Sequence, residues 1–348
     1  MNYYIHQHKY YCGIDIHANT LYMCILDSTG EKLFHKEIAA NPEEFLLAIN
    51  DYREDLVVGV ESTFCWYWLA DLCDREGIKF ILGHALYMKA IHGGKAKNDR
   101  LDSNKIAVLL RGGMLPVAYA CPKKLRALRD LLRRRLFFTR KRAELMSHVQ
   151  MTCQQYNVKQ PGSKLKNHNF RQNYEFPLED EVINKIISTD LDLIKHYTTE
   201  LGSIEFFAKK KLRDFKQSIN FAILNTVTGI GPILGATILL EINDIKRFSD
   251  HGKFCSYSRL VKPEKTSAGK KAGSGGKKIG NAHLKWAFSE AATLMLRGSD
   301  KAKRYKQRLL RKHSKAKTMS IISHRIGKAV YYMLLRGEEF NEQKFFAH

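Results

Sequence analysis

The sequence of 348 residues predicts an α/β domain in its first third and helices over most of the remainder. Two patterns predict this division. Up to about residue 111, short runs rich in β-branched and aromatic residues alternate with segments that carry helix-starting signals. From residue 122 onward, apolar residues recur mostly at the spacing of amphipathic helices. A composition of 44% hydrophobic and 27% charged residues is typical of a globular chain, and the length suits about two domains.

Three strands are predicted first, over residues 10–16, 20–28 and 31–39. Each run is rich in the β-branched and aromatic residues that favour strands. The tetrapeptide Asp27-Ser28-Thr29-Gly30 is a turn signal between the second and third runs. An antiparallel meander is therefore expected at the start of the domain.

Helices and strands alternate after the meander. A helix starts at Asn41-Pro42-Glu43-Glu44, because Asn caps a helix, Pro suits its first turn and acids favour its positive end. The continuous apolar run at 56–60 is typical of a buried central strand. A helix over 65–76, a strand over 79–84 and a helix from about Leu101 to Arg111 complete the order βββαβαβα. This order implies a sheet covered on both faces.

Four carboxylates fall at special positions of this predicted domain. Asp15 lies between Ile14 and Ile16, so its side chain points away from the core that they face, and Glu61 ends the buried strand. Asp99 and Asp102 are three residues apart at the start of a helix and can share one face. Singly, each acid is explained as well by a strand end or a helix start. Together they favour a site for Mg²⁺ or Mn²⁺, because converging carboxylates repel one another unless cations neutralise them.

The net charge of +23 indicates a polyanionic partner. The excess is concentrated in residues 121–142, 262–278 and 301–317, which favours nucleic acid. A membrane surface is the weaker interpretation, because no basic stretch adjoins a long apolar face. Among these residues, Arg133, Arg134 and Arg135 are candidates for phosphate contacts on a helix whose leucines recur at 125, 128, 132 and 136. With a second helix over about 180–215, this segment predicts an antiparallel hairpin or coiled-coil arm.

The last third contains a glycine turn between two apolar helical runs. Gly229-Ile230-Gly231 resembles the turn of a helix-hairpin-helix element, in which backbone N–H groups approach a phosphate. An ordinary tight turn explains the glycines about equally well. Helices over 281–297 and 318–336 follow, and the stripe of Ile322, Ile326, Ala329 and Met333 on the second is expected to face the core.

Residues 261–286 are rich in Gly, Lys and Ser, and show no apolar period before Ile279. They suit either a spacer or a mobile loop that wraps a phosphate. Its candidate contacts are Lys270, Lys271, Lys277 and Lys278. A serine of this loop, Ser267 or Ser274, is a candidate nucleophile on phosphorus, and composition alone does not choose between them.

Several protein classes are disfavoured by the sequence. It contains no apolar run near the ~20 residues that cross a bilayer, and its start lacks the apolar core of a signal peptide. The seven cysteines are scattered without a CxxC pair, which argues against a disulfide framework or a zinc ribbon. We therefore expect reduced thiols in the cytoplasm.

Taken in order, these motifs resemble those of the DEDD-type insertion-sequence transposases, the bridge-RNA-guided recombinases related to the Piv DNA invertase. In the N-terminal third the matching motifs are Gly13-Ile14-Asp15, Val60-Glu61-Ser62-Thr63 and the segment Lys97-Asn98-Asp99-Arg100-Leu101-Asp102. In the C-terminal third they are Thr228-Gly229-Ile230-Gly231-Pro232, the octapeptide at 254–261, Thr266-Ser267-Ala268-Gly269-Lys270 and the segment at 278–284. Arg259 stands where the family usually has glycine, and Ser103 where it usually has alanine.

The resemblance implies a RuvC-like (ribonuclease-H-like) α/β domain over 1–120, a helical coiled-coil arm over 121–218 and a mainly α transposase domain over 219–348. It implies that Asp15, Glu61, Asp99 and Asp102 bind the metal and that Ser267 forms a phosphoserine–DNA intermediate. It also implies a dimer that assembles into a tetramer, with the acids supplied by a partner subunit. A bridge RNA would select donor and target DNA by base pairing.

Two other kinds of function stay open at this point. The first is a RuvC-like Holliday-junction nuclease, in which metal-activated water attacks the phosphodiester, or a DNA invertase. The second is a non-catalytic RNA-binding protein with structural carboxylates. A covalent protein–DNA adduct on Ser267 distinguishes the recombinase from the nuclease and from the binding protein.

Overall fold

The chain folds into two compact units, residues 1–124 and 125–348. The structure, a computed structural model, describes residues 2–91, 98–177, 179–212, 219–262, 265–267, 269–273 and 279–347. An α/β sheet forms the first unit, and helices form most of the second. The division of the second unit into an arm and a C-terminal domain stays a prediction.

The first unit is built on a five-stranded sheet in the order β4-β3-β2-β5-β6. Its strands are β2 (Tyr10–Ile16), β3 (Thr20–Asp27), β4 (Lys32–Ala39), β5 (Leu56–Glu61) and β6 (Lys79–Gly83). β2, β3 and β4 form the predicted antiparallel meander, whereas β5 and β6 run parallel to β2. A separate two-stranded sheet pairs β1 (Tyr3–Tyr4) with β7 (Leu115–Pro116).

Helices cover both faces of the five-stranded sheet, as predicted. They are α1 (Pro42–Ile49), α2 (Tyr67–Arg75), α3 (Ala85–Ile91) and α4 (Asp99–Arg111), of which α3 was not predicted. The even-numbered residues of β2, such as Ile14, pack with Phe45 of α1 and Leu69 of α2. The odd-numbered Tyr11 belongs to a second core with Ile106 of α4. Because successive side chains of β2 point to opposite faces of the sheet, the strand contributes to a separate core on each face.

Two glycines allow α4 to lie directly on the sheet. Gly13 of β2 and Gly59 of β5 are register partners. A β-carbon on Gly13 would overlap backbone atoms of Ser103 and Ala107, and one on Gly59 would lie 2.5 Å from a methyl carbon of Leu110. Glycine at position 13 is therefore required by the close approach of the helix backbone, whereas Gly59 leaves room for the Leu110 side chain.

The second unit begins with two long helices that pack antiparallel. They are α5 (Lys123–Gln155) and α7 (Glu181–Lys211), with the short α6 (His168–Gln172) between them. His148 of α5 pairs with Asp190 of α7, and Arg135, earlier in α5, pairs with Glu205, later in α7. This confirms the predicted pair of helices, whereas their role as a coiled-coil arm stays a prediction.

The remaining helices enclose the main core of the second unit. They are α8 (Ile219–Asn225), α9 (Pro232–Ile242), α10 (His251–Tyr257), α11 (Ala282–Gly298), α12 (Asp300–Leu310), α13 (Lys315–Arg336) and α14 (Glu342–Phe346). The predicted stripe on α13 contributes Ile322, Ile326 and Met333 to this core, with Ala329 packed against it. Much of the third basic cluster lies on α12, which sequence analysis did not predict as a helix. Among the described residues, no helix is long and apolar enough to span a membrane.

The segment expected to be an irregular loop contains a short hairpin. Its strands are β8 (Lys265–Ser267) and β9 (Lys270–Gly273), which pair antiparallel. Gly269 lies in the connecting turn with φ +74°, a backbone conformation that glycine adopts without steric cost. The hairpin therefore depends on a turn signal that apolar periodicity cannot reveal.

Candidate active site

Asp15, His17 and Asp99 form a cluster of potential metal ligands in the first unit. One ligand atom from each lies within 4.8 Å of the others. His17 Nε2 is 3.3 Å from Asp99 Oδ2 and 3.6 Å from Asp15 Oδ2. The side chain of Asp15 is 12% exposed, whereas those of His17 and Asp99 are 49% and 50% exposed. The site is thus anchored by a largely buried carboxylate and is accessible to solvent.

The alternation of β2 and the start of α4 explain this convergence. Asp15 follows Gly13 by two residues and so lies on the sheet face that α4 covers, on the side of β2 opposite to the core that Ile14 and Ile16 enter. Asp99 is the first residue of α4, and the Asn98 side chain caps that helix by accepting from the Arg100 amide at 2.9 Å. Contact between α4 and Gly13 therefore brings the first turn of the helix to the acid on the strand.

Glu61 and Asp102 lie near the same elements but, in the described chain, outside the three-ligand group. Glu61 ends β5, one residue beyond the pairing of Ile14 with Val60, so it is close to the level of Asp15 on the neighbouring strand. Asp102 lies in the first turn of α4 and accepts a hydrogen bond from Lys105 Nζ at 2.9 Å. The structure therefore brings two of the four predicted acids together and leaves the other two on adjoining positions.

His17 was not among the metal ligands predicted from the sequence. The signal was its spacing of two residues from Asp15, which places both side chains on one side when the extended chain continues past the strand. Carboxylate oxygens suit hard cations such as Mg²⁺ and Mn²⁺, and imidazole is a common ligand of transition-metal ions. The donor set of Asp15, Asp99 and His17 therefore fits a divalent cation.

Ser267 is exposed at the end of β8 in the second unit, where it pairs in register with Lys270 of β9. Lys270 is exposed as well, and the backbone of Lys271 lies in β9. Ser274, Lys277 and Lys278 lie outside the residues that the structure describes. Both residues are therefore accessible to a large phosphate substrate, as a nucleophile and its neighbouring cation would need to be.

The chain on either side of this hairpin is tied together at its base. The Asn281 amide donates to the Tyr257 carbonyl at 2.6 Å. Arg259 Nε donates to the carbonyl oxygens of Ile279 and Gly280, at 3.0 and 2.9 Å. Arg259 has φ +53°, a value that non-glycine residues rarely adopt.

A buried ion pair lies next to this base. Glu241 of α9 is 3% exposed and receives both a 2.6 Å and a 2.7 Å hydrogen bond from the Arg133 guanidinium of α5. Asn281 Nδ2 donates to the same carboxylate at 2.7 Å. Burial favours a raised pKa for Glu241, but the Arg133 and Asn281 hydrogen bonds and the charge of Arg133 outweigh it and lower the pKa.

The structure divides the three predicted arginine contacts into two kinds. Arg133 and Arg135 donate to Glu241 and Glu205, so these guanidinium groups are engaged within the protein. Arg134 is exposed, and its guanidinium carbon lies 5.7 Å from the centre of the Phe137 ring. Arg134 is therefore the best placed of the three to meet a phosphate.

The two turn glycines also differ in their surroundings. Gly229 has φ +96°, and a β-carbon there would lie 2.5 Å from the Met295 amide nitrogen of α11. Gly231 precedes α9, is exposed and has open space where a β-carbon would be. Helix packing thus accounts for Gly229, and Gly231 alone leaves room for an approaching phosphate.

Comparison with protein families gives two matches that together include most of the chain. A model described as a transposase, of the DEDD type in the IS110 family, matches residues 12–158, which include Asp15 and Asp99. A second model, for the transposase IS116/IS110/IS902 family, matches residues 221–307, which include Ser267. A search of curated proteins gave no match.

Proposed function

Because the chain belongs to the IS110 family of DEDD-type transposases, which are enzymes that act on DNA, we propose that it cleaves and exchanges DNA strands through a phosphoserine intermediate. The observation that carries this proposal is the convergence of Asp15, near the C-terminal end of the central strand β2, and Asp99, at the start of α4. The order β4-β3-β2-β5-β6, with β2 to β4 antiparallel, supports a RuvC-like fold for this domain.

Asp15, Glu61, Asp99 and Asp102 would hold Mg²⁺ or Mn²⁺, and His17 is an additional candidate ligand. When bound, such a cation stabilises the negative charge that develops on a phosphodiester during cleavage. Burial of Asp15 fixes its carboxylate against the sheet, and Lys105 orients Asp102 through its 2.9 Å hydrogen bond. Asp99, which is half exposed, faces the solvent from which DNA would approach.

Ser267 is the proposed nucleophile. Its Oγ forms a bond to phosphorus while one P–O bond of the DNA backbone breaks, and the hydroxyl proton passes to the departing oxygen. In the reverse reaction, the hydroxyl of a different DNA end displaces Ser267 from the phosphate and completes strand exchange. Each step replaces one phosphodiester bond by another, so the energy of the bond is conserved. Ungapped matching to the family motif favours Ser267 over Ser274, and the exposure of Ser267 is consistent with this choice.

The remaining partners are proposed from the resemblance and from the charge. A bridge RNA would specify donor and target DNA by base pairing, and the protein would contact backbones through exposed cations such as Arg134 and Lys270. A dimer, assembling to a tetramer, would let the acids of one subunit act with Ser267 of a partner. The net charge of +23 is favourable for binding RNA and DNA together, because both are polyanions.

The decisive experiment traps the protein–DNA adduct. Purified protein, its RNA and DNA carrying the element ends are incubated with Mg²⁺, denatured and analysed by gel and peptide mass spectrometry. We expect an adduct on the Ser267 peptide that Ser267→Ala abolishes and that Ser256→Ala, an exposed matched control, retains. An adduct that persists in Ser267→Ala but not in Ser274→Ala moves the nucleophile to Ser274. Cleavage by Ser267→Ala without any adduct supports the nuclease instead, and wild-type activity in Asp15→Asn supports a structural role for the acids.

A further inference from the structure

Ser267 lies in a segment whose two ends meet at a well-defined base. The segment leaves the helical core after α10 and Leu260, and it returns at Ile279 just before α11. The described residues at the base are joined by the Asn281 amide bond to Tyr257 and by the bonds of Arg259 to the carbonyls of Ile279 and Gly280. Arg259 therefore connects the outgoing chain to the returning chain by its side chain.

The backbone of Arg259 indicates that this contact matters. Its φ of +53° lies in the left-handed region, which is sterically unfavourable for a residue with a β-carbon. The other non-glycine residues with positive φ in the described chain are Asn157 and Asn243, and Asn tolerates this conformation better than most residues. Glycine at 259 would avoid the strain but would lack the guanidinium that closes the base.

The returning chain is fixed from its other side as well. Gly280 has φ +92°, and a β-carbon there would lie 2.5 Å from the Tyr257 carbonyl oxygen. Asn281 bonds to Glu241, which is buried and held by Arg133 of α5. Residues 279–281 are therefore held in place by their own contacts. The hydrogen bonds of Arg259 fix the chain after α10 to them.

We propose that Arg259 is a positioning residue for Ser267: by joining the chain that follows α10 to residues 279 and 280, it restricts where the serine is presented to DNA. The proposal rests on the proposed role of Ser267 as nucleophile. Positioning is important because a displacement of about 1 Å can slow a reaction by ~10²-fold.

The test is Arg259→Gly, which relieves the backbone strain and also removes the hydrogen bonds to Ile279 and Gly280. We expect adduct formation to slow by ~10–10²-fold. The melting temperature should stay unchanged or rise, and amide hydrogen exchange should accelerate at 265–273 and 279–281. DNA affinity, measured in a Ser267→Ala background, should change little. Asn157→Gly is the matched control, because it relieves another positive φ two residues after α5 ends, 24 residues beyond Arg133, and should leave the adduct rate and the exchange at 265–273 unchanged.

The outcomes separate this proposal from the proposed function. A wild-type adduct rate in Arg259→Gly, or unaltered exchange at the base, overturns the positioning role while Ser267 remains the nucleophile. A fall in melting temperature that parallels the loss of adduct indicates a general structural role and also overturns it. If the wild-type protein forms no adduct, the proposed function fails, and the exchange measurement still decides whether Arg259 closes the base.

Discussion

Gly13 lies directly under the Ser103 backbone, so that a β-carbon on Gly13 would overlap the Ser103 carbonyl oxygen. Ser103 is itself fully buried, and its hydroxyl donates to the Arg100 carbonyl at 3.1 Å. The contact sets the distance between α4 and β2, and these two elements carry Asp99 and Asp15. The geometry of the acidic cluster therefore depends on the absence of a side chain at residue 13.

Replacing Gly13 by alanine is expected to push α4 away from the sheet. Overpacking of this kind costs about 1–3 kcal/mol, and the displacement should also weaken Mn²⁺ binding. Thermal unfolding and Mn²⁺ titration measure the two effects. Gly202→Ala is the control, because a β-carbon at that helix position meets open space and should stabilise the protein slightly. Unchanged stability and Mn²⁺ affinity in Gly13→Ala would contradict this account of α4.

Asp15→Asn should abolish tight Mn²⁺ binding and strand cleavage while the fold is retained. The amide has the shape of the carboxylate but lacks the negative charge that a divalent cation requires. His17→Ala should weaken Mn²⁺ binding by a smaller factor, because the carboxylates remain. Electron paramagnetic resonance of free Mn²⁺ measures both affinities, with Glu37→Gln on the exposed β4 as control. Wild-type Mn²⁺ affinity in Asp15→Asn would exclude Asp15 as a ligand.

Arg133→Met should destabilise the second unit strongly. It leaves the Glu241 carboxylate buried without its cation, at a cost of about 3 kcal/mol, the lower end for a broken buried pair because Arg133 is 34% exposed. Met at both 133 and 241 should recover most of this loss, because it removes the unpaired charge. Urea denaturation of the three proteins checks this, and equal stability of Arg133→Met and wild type would contradict it.

The same ion pair predicts a pH dependence. Because folding lowers the pKa of Glu241, the stabilisation is present above the usual glutamate pKa of 4.5 and is lost as pH falls through the folded-state value. In Arg133→Met burial raises the pKa instead, so the deficit is largest at neutral pH. The difference in unfolding free energy between the two proteins should therefore shrink as pH falls, first between the raised pKa of the variant and 4.5, and then between 4.5 and the lowered pKa of the wild type. A difference independent of pH would indicate that Glu241 does not titrate with folding.

Arg134→Gln and Arg135→Gln should behave differently in nucleic-acid binding, although they are neighbours. Loss of one phosphate contact lowers the slope of log affinity against log salt by about 1, which we expect for the exposed Arg134. Arg135 is paired with Glu205, so its replacement should leave the slope unchanged and weaken the α5–α7 packing. Salt titrations of DNA or RNA binding compare the two, and equal slopes would contradict the assignment.

The secondary structure was largely predictable because it depends on local patterns. The meander, the buried β5 and the start of α1 each follow from a residue alternation or a capping signal in one short segment. The side of β2 on which Asp15 lies was predictable for the same reason. Asp99 could be placed at a helix start, but its approach to Asp15 depends on Gly13, which carries no chemistry of its own.

The contacts that were not predictable join distant parts of the chain. An arginine on the polar face of α5 has the same local pattern whether its partner is a phosphate or Glu241, which is 108 residues away. The left-handed backbone of Arg259 is likewise unexpected, because arginine does not favour it. Its carbonyl partners lie 20 and 21 residues further along and are identified only by the fold.

The packing of β2 on both of its faces also limits which mutations the protein can tolerate in this strand. Its even positions fill the core with α1 and α2, and its odd positions carry the contact with α4 and then Asp15. Inserting or deleting a single residue within the strand would turn Ile14 toward α4 and the carboxylate into an aliphatic core. Such a length change would remove the Asp15 carboxylate from the metal site and would also destabilise the fold. Single substitutions are therefore the tolerable route of variation in β2, and length changes are expected only in the connections outside it.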